Sequence, residues 1–505
     1  MRIMPIYTFL TRVAKKKKTM SFHKPNDQQN VGIINFFKSK TIFITGSTGF
    51  MGKVLVEKLL RALPSIEKIY LLVRANTAAA AKQRIKTEMI DSKLFKVLRE
   101  QHGQLYEEFM WNKLVPIAGD VCKPYLGMRS DSAHLIREEV NVIVNISANT
   151  NWYDRYDVLL ESNVSGAAKL VDFALDCTNL ALFVQVSSAY ASQDLPGVAL
   201  EKPIDWGRYY IEDEQNKTLS VDKVINTEMR IVSELASQFH EEEQTVEMKK
   251  LAVRRAKFYK MLNSYTLTKA MGELLVTKLS GKLPVVIIRP SLMESTIKEP
   301  FPGWVEGYKS MDPIILSYGT GTLEGFVANR NSVIDVVPVD MAANAMIAAM
   351  AKHGNEGKHG LMIYNVTSSH LNPILCHDFF NFSTNYFTSN PLKDSNEKDI
   401  IVKDMKFFES MSEFIIIVGA NATRINAKLQ NQLLRMAAIY ELPLTANIWF
   451  DDKNIRNLLE EMSIEELAMF NFNFKFIDWK DYFTNIHIPG LTQHFLMKKS
   501  LAARL

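Results

Sequence analysis

The chain has little of what would make a metalloprotein, a disulfide scaffold or a membrane-spanning protein. Its three cysteines, Cys122, Cys177 and Cys376, share no short ligand spacing in 505 residues, which fits a reducing compartment rather than a disulfide framework. The ten histidines are scattered likewise, so they read as surface or satisfied core residues and no metal centre is expected. No apolar run is long enough to cross a bilayer, and any membrane contact would be peripheral. There is also no broad field of one charge. The net +5 is concentrated in Arg2, Arg12, Lys15 to Lys18 and Lys24, all ahead of the first acidic residue, Asp27; without those seven the remainder carries −2. Nucleic acid is therefore not an expected partner.

What is present begins with Lys40-Thr-Ile-Phe-Ile-Thr45-Gly46-Ser47-Thr48-Gly49-Phe50-Met51-Gly52, a short apolar strand joined to a helix through three glycines spaced three apart. Such a turn brings backbone N–H groups and a helix N-terminus against a pyrophosphate, so Thr45 to Gly52 are expected to cradle a dinucleotide. In the helix, Met51, Leu55, Leu59 and Ala62 share one face, while Lys53, Glu57, Lys58 and Arg61 lie elsewhere; one side should pack on a sheet. Apolar runs recur at 69–73, 114–117, 142–146, 182–186 and 285–288 with helical segments between them. This alternation predicts an α/β fold, a Rossmann-type doubly wound parallel sheet.

The charged stretch near 197–260 exceeds what a loop needs and suggests a helical insertion. A polar region over 371–410 reads as a linker, followed by a smaller, mainly helical C-terminal domain over 411–505. The organisation is thus a basic N-terminal segment over 1–31, a cofactor-binding domain over 32–370, the linker and the C-terminal domain. The basic end is a solubilising tail, a contact with anionic lipid or a targeting segment, and Met20 is an alternative start.

Cofactor preference is legible at the second strand, which ends in Arg74 where NAD-binding folds often place an acid. A guanidinium suits the extra 2′-phosphate of NADPH. Asp120 after the third strand and Asn149 after the fourth fall where adenine and ribose would lie. Tyr265 and Lys269, four apart within Asn263-Ser-Tyr-Thr-Leu-Thr-Lys-Ala-Met-Gly-Glu273, share a helix face. A phenol is a poor acid–base group at neutral pH, and a nearby ammonium would lower its pKa. A hydroxyl from the fifth strand's end, Ser188 with Ser187 in reserve, could donate to a reacting carbonyl.

The Ser, Tyr and Lys set on this scaffold resembles the extended short-chain dehydrogenase/reductase superfamily. Longer motifs narrow this: Pro284-Val-Val-Ile-Ile-Arg-Pro-Ser291, Glu294-Ser-Thr-Ile-Lys-Glu-Pro-Phe-Pro-Gly-Trp-Val-Glu-Gly307, Asn151-Trp-Tyr-Asp-Arg-Tyr-Asp157, Val333-Ile-Asp-Val-Val-Pro-Val-Asp340, Ile477-Asp-Trp-Lys-Asp-Tyr482 and His487-Ile-Pro-Gly490. Together they resemble the fatty acyl-CoA reductases, particularly the plant branch, from about Gly32 to the C-terminus. Met51-Gly52 departs from the Leu-Ala of many relatives, and Ser188 stands where many have Thr.

The resemblance implies reduction of a long-chain acyl-CoA, or an acyl carrier protein thioester, to a primary fatty alcohol with two NADPH. Ser188 and Tyr265 would hold the oxyanion, and Lys269 would tune Tyr265 and grip the nicotinamide ribose. Arg289 either shapes the nicotinamide end of the cleft or is a structural strand-end cation. Phe301, Trp304, Tyr308 and the aromatic C-terminal segment are candidates for an acyl tunnel. Location is expected at the endoplasmic reticulum or in a plastid; Ala503-Arg504-Leu505 resembles a peroxisomal tripeptide but is too short a match to rank with these. The alternatives are another extended reductase or epimerase, or a silent NADPH- or acyl-binding protein.

Overall fold

The computed structural model describes residues 30–192, 197–204, 221–420 and 427–502. Residues 1–29 of the basic segment, residues 205–220 of the expected insertion, and the tripeptide 503–505 lie outside them.

Seven strands form one parallel sheet: β1 (Thr41–Thr45), β2 (Lys68–Val73), β3 (Leu114–Ala118), β4 (Val142–Asn145), β5 (Leu182–Val186), β6 (Pro284–Pro290) and β7 (Gly360–Val366). Their order is β7-β6-β5-β4-β1-β2-β3, all neighbours parallel. The winding direction therefore reverses between β1 and β4, and a crevice opens there at the carboxyl ends of the strands. Five strands coincide with the apolar runs. β7 is an edge strand whose first three residues are half-buried; its apolar run Leu361-Met-Ile-Tyr364 is not among those read from the sequence.

Five connecting helices position the site. Helix α1 (Phe50–Ala62) follows β1, and α2 (Gly166–Leu175) precedes β5. A helical pair, α3 (Val221–Gln238) and α4 (Glu241–Phe258), occupies the charged stretch. Helix α5 (Ser264–Thr277) starts with a capping box: Thr266 N–H donates to Asn263 Oδ1 at 2.9 Å and Asn263 N–H to Thr266 Oγ1 at 3.1 Å, satisfying two end groups that would otherwise be orphaned. A further helix, α6 (Val339–Glu356), is buried on nearly every side.

Helix α1 departs from the simple amphipathic reading. Its charged face is buried as well: Lys53 and Lys58 are 3% exposed and Glu57 0%. The partners come from the loop 299–307. Lys53 Nζ donates to Glu306 at 2.7 Å, and Glu299 accepts from Lys58 and, at 3.0 Å, from Arg61. Asp340 fixes the start of this loop by accepting from the N–H groups of Ile297, Lys298 and Glu299, each at 2.9 Å.

The segment 371–410 is not a featureless linker. Its helix α7 (Cys376–Ser389) buries Phe379, Phe380 and Phe387, whose apolar stripe overrides the polar composition around it. Beyond lie α8 (Ala427–Thr445) and α9 (Ile488–Ala502), with the shorter helices Lys453–Glu460 and Ile464–Met469 between them. They separate because Ser463 begins a new capping box with Glu466. The C-terminal region also adds strands to the first: Lys406–Phe408 pairs with Gly325–Val327, and Trp449–Phe450 with Val198–Ala199.

Where α9 meets the loop 299–307, glycine packs on glycine. A Cβ on Gly490, at the start of α9, would lie 2.1 Å from the Gly303 carbonyl oxygen, a distance real carbon atoms do not adopt. Gly490→Ala is expected to cost about 1–3 kcal/mol by overpacking, visible as a lower midpoint in thermal or urea unfolding.

Candidate active site

The glycine loop is shaped by close packing. Gly46 has φ +74°, and a Cβ there would lie 2.7 Å from Ser147 N after β4. A Cβ on Gly52 would lie 2.3 Å from the Gly46 carbonyl oxygen, so the third glycine seats α1 on the loop. One cavity of about 1410 Å³ runs past this turn and is lined by Gly46, Thr48, Gly49, Phe50 and Met51. Thr45, Ser47 and Gly52 lie behind its wall. Thr45 Oγ1 donates to Asn145 Oδ1 at 2.6 Å, while the buried Ser47 Oγ has no hydrogen-bond partner.

Arg74, Asp120 and Asn149 line the same cavity. Asn149 orders the loop after β4: its N–H donates to Asn163 Oδ1 at 2.8 Å and its Nδ2 to Asp154 at 2.8 Å. Asn163 also donates to Thr268 on α5 at 3.0 Å. Beside Arg74 stands a cation that sequence reasoning missed. Arg84, on the helix Ala78–Ile85, donates to the Arg74 carbonyl at 3.0 Å and approaches Thr48 Oγ1 at 3.4 Å. Arg74, Arg84 and Lys123 border an adjoining cavity of about 490 Å³. No spacing rule connects Arg84 to the glycine loop; only the fold brings them together.

At the other side of the crevice, Ser187, Ser188, Tyr265 and Lys269 line the large cavity. Lys269 Nζ donates to the Val186 carbonyl at 2.6 Å, tying α5 to the end of β5. Ser188 Oγ accepts from Tyr190 N–H at 3.3 Å, which leaves its own proton for another acceptor. The buried Ser187 Oγ has no hydrogen-bond partner.

The expected lowering of the Tyr265 pKa is not found. Burial pushes the phenol up to about 12. Burial also brings Lys269 down to about 8, against a smaller raising effect from Glu273. At neutral pH the phenol is thus a protonated donor beside an ammonium, the state needed to give a proton. Arg289 is the structural cation of the two readings. It is 1% exposed, pairs with Glu273 and donates to the carbonyls of Leu200 at 3.2 Å and Lys202 at 3.0 Å.

Two segments of the chain match family models, both described as male sterility protein, over residues 44–346 and 409–499. Over 499 aligned positions the chain is 40% identical to fatty acyl-CoA reductase 2, chloroplastic, of Arabidopsis thaliana, covering 93% of this chain and 80% of that protein. It is 34% identical to the alcohol-forming fatty acyl-CoA reductase of Simmondsia chinensis, covering 92% and 99%.

The chain belongs to the fatty acyl-CoA reductase family.

Among solved structures, the fold matches the terminal reductase domain of the myxalamid biosynthetic pathway with a TM-score of 0.58 at 17% identity, covering 92% of each chain. A reductase domain of a non-ribosomal peptide synthetase from Mycobacterium tuberculosis gives 0.58 at 18% identity, covering 98% of this chain and 96% of that one. The cradle is that of a nicotinamide-dependent reductase. In this fatty acyl-CoA reductase the remaining cavity wall is largely apolar and aromatic. Trp152 stacks over Tyr265 with ring centroids 6.4 Å apart, and Tyr440 of α8 packs on Trp152 at 5.8 Å. Met229 and Val232 of α3 and Ile439 and Pro443 of α8 add to this wall, with polar residues such as Asp157, Glu161 and Ser233 interspersed. Trp152 sits inside a motif that signalled the family, yet nothing in its spacing signalled a ring on Tyr265. Of the three expected tunnel residues Tyr308 lines the cavity; Trp304 instead stacks on Phe50 at 5.4 Å and Phe301 packs against the core.

The two shifts set the alkaline behaviour. Lys269 carries charge below about pH 8 and loses it above, whereas Tyr265 holds its proton to about 12. Reductase kcat/KM, followed by initial rates from about pH 6 to pH 10, is expected to fall on the alkaline side with an apparent pKa near that of Lys269.

Proposed function

We propose that the protein reduces a long-chain fatty acyl thioester to a primary alcohol, with NADPH as reductant and acyl-CoA or acyl carrier protein as the acyl donor. The observation that carries this reading is the single cavity, which joins the glycine loop to Ser188, Tyr265 and Lys269 and continues along the apolar wall of α3 and α8. A cofactor headgroup and an aliphatic chain can meet there at one carbonyl.

The residues present fit the cofactor. Backbone N–H groups at 46–51 suit a pyrophosphate, and Arg74, Arg84 and Lys123 suit a 2′-phosphate that a carboxylate would repel. When bound, two NADPH molecules supply two hydrides. Ser188 and Tyr265 donate hydrogen bonds to the thioester oxygen and stabilise its negative charge as the carbonyl is attacked. Cleavage of the C–S bond releases the thiolate and leaves an aldehyde in the cavity. Tyr265 then gives its proton to the alkoxide, with Lys269 beside it stabilising the phenolate left behind. The balance is one thioester, two NADPH and two protons in, and one alcohol, one thiol and two NADP⁺ out. The apolar wall holds the aldehyde between the two reductions and excludes water.

A plastid is the location we favour, because a relative of 40% identity is named chloroplastic. In that compartment acyl carrier protein can take the place of CoA as donor, and a ladder of acyl-CoA and acyl carrier protein substrates separates the two.

Tyr265→Phe is expected to lower alcohol formation from a long-chain thioester on the order of 10²- to 10⁴-fold, measured by mass analysis of products. Wild-type rates in that variant would remove Tyr265 from the reaction. Arg74→Ala combined with Arg84→Ala is expected to raise KM for NADPH at least about tenfold, the loss of a charge-assisted pair, while leaving KM for NADH nearly unchanged.

A further inference from the structure

Apart from the cavity, the structure gathers three side chains that the reduction does not use. Glu294 ends the strand Leu292–Glu294, Asp312 begins the helix Asp312–Gly319, and His487 ends the helical turn Tyr482–His487. All three are 0% exposed. His487 Nε2 lies 3.1 Å from Asp312 Oδ1 and 3.6 Å from Glu294 Oε2. None of those three inner atoms has a hydrogen-bond partner.

The outer atoms, by contrast, are occupied. Met311 N–H donates to Glu294 Oε1 at 3.0 Å, Lys309 N–H donates to Asp312 Oδ2 at 2.7 Å, and His487 Nδ1 lies 3.0 Å from Ser295 Oγ. Each side chain is thus oriented by a second partner and turns one unpartnered atom toward a common centre, the arrangement that orders ligands around metals.

Charge and distance point the same way. Two buried carboxylates face one another, and among the described residues no Lys or Arg pairs with either. One ligand atom from each of the three side chains lies within 4.8 Å of the others. A tetrahedral ion with bonds of roughly 2.0–2.2 Å holds neighbouring ligand atoms about 3.3–3.6 Å apart, and the two distances from His487 Nε2 bracket that spacing closely.

We propose that Glu294, Asp312 and His487 bind one divalent transition-metal ion, best matched by Zn²⁺, which joins the C-terminal region to the reductase domain. One imidazole and two carboxylates are borderline-hard ligands suited to Zn²⁺, with water in the fourth position. None of the three residues lines the cavity, so the ion is structural. It closes a contact between two distant parts of the chain, as a cross-link does.

The test uses the full chain purified without a histidine tag. After equilibration with Zn²⁺ and removal of the excess, elemental analysis is expected to find about one zinc per chain, and Asp312→Asn or His487→Gln to reduce this to below about one tenth. Because those variants could misfold, the wild type is also stripped with a chelator and titrated with Co²⁺. Tetrahedral visible bands that Zn²⁺ abolishes are expected, with a melting temperature that falls on chelation and returns with Zn²⁺. Folded wild-type protein with no retained zinc and no Co²⁺ band would overturn the proposal and leave a cluster that shares protons. Full zinc content in a folded Asp312→Asn variant would overturn it equally.

Discussion

The constraint on which the rest of the structure depends is the burial of the charged face of α1 against the loop 299–307. The helix that presents its N-terminus to the cofactor is held from the sheet side by apolar residues and from the opposite side by Glu299 and Glu306. Such pairs add little net stability. Burial lowers Lys58 despite Glu299, while Lys58 and Arg61 outweigh burial and hold the Glu299 carboxyl below its ordinary range. Gain and cost largely cancel, but losing one partner would strand a buried charge at about 3–5 kcal/mol. The interaction therefore specifies position. The same loop meets α9 at Gly303 and Gly490, so cofactor cradle and C-terminal region share one fixed element.

On the opposite side of the crevice the organising element is a buried cation. Lys269 reaches the Val186 carbonyl and so fixes the distance between α5, which carries Tyr265, and the strand end that carries Ser188. Desolvation weakens its hold on its proton and strengthens that of Tyr265. The two groups are thereby driven further from exchanging a proton than their ordinary values suggest, so each keeps its own proton at neutral pH and the phenol stays a donor.

The sheet was largely legible in the sequence because buried parallel strands are continuous apolar runs, and six of the seven announce themselves. The edge strand Gly360–Val366 did not, although Leu361-Met-Ile-Tyr364 is apolar, since it lies about seventy residues beyond the run before it and outside the regular alternation. The glycine turn, Tyr265 and Lys269 were legible because their chemistry demands fixed local spacings. Arg84, Trp152 and Tyr440 were not, since each reaches the cavity from an element with no such spacing. The burial of the charged stripe of α1 was not legible because its partners lie in a loop far along the chain. His487 belonged to a motif that marked the family, yet its place opposite Glu294 and Asp312 is written only in the packing of chain ends.

Helix α8 supplies Ile439, Tyr440 and Pro443 to the cavity wall, and this has a consequence for synthesis. A ribosome delivers the strands from Thr41 to Val366, with the whole glycine turn, before the helix that closes the acyl side emerges. The nascent reductase domain must therefore present an unlidded greasy trough to its surroundings during the last part of translation. Helper proteins that shield apolar surface would act on this window, and a premature stop between β7 and α8 would yield a nucleotide-binding half with no seal over its lipid side.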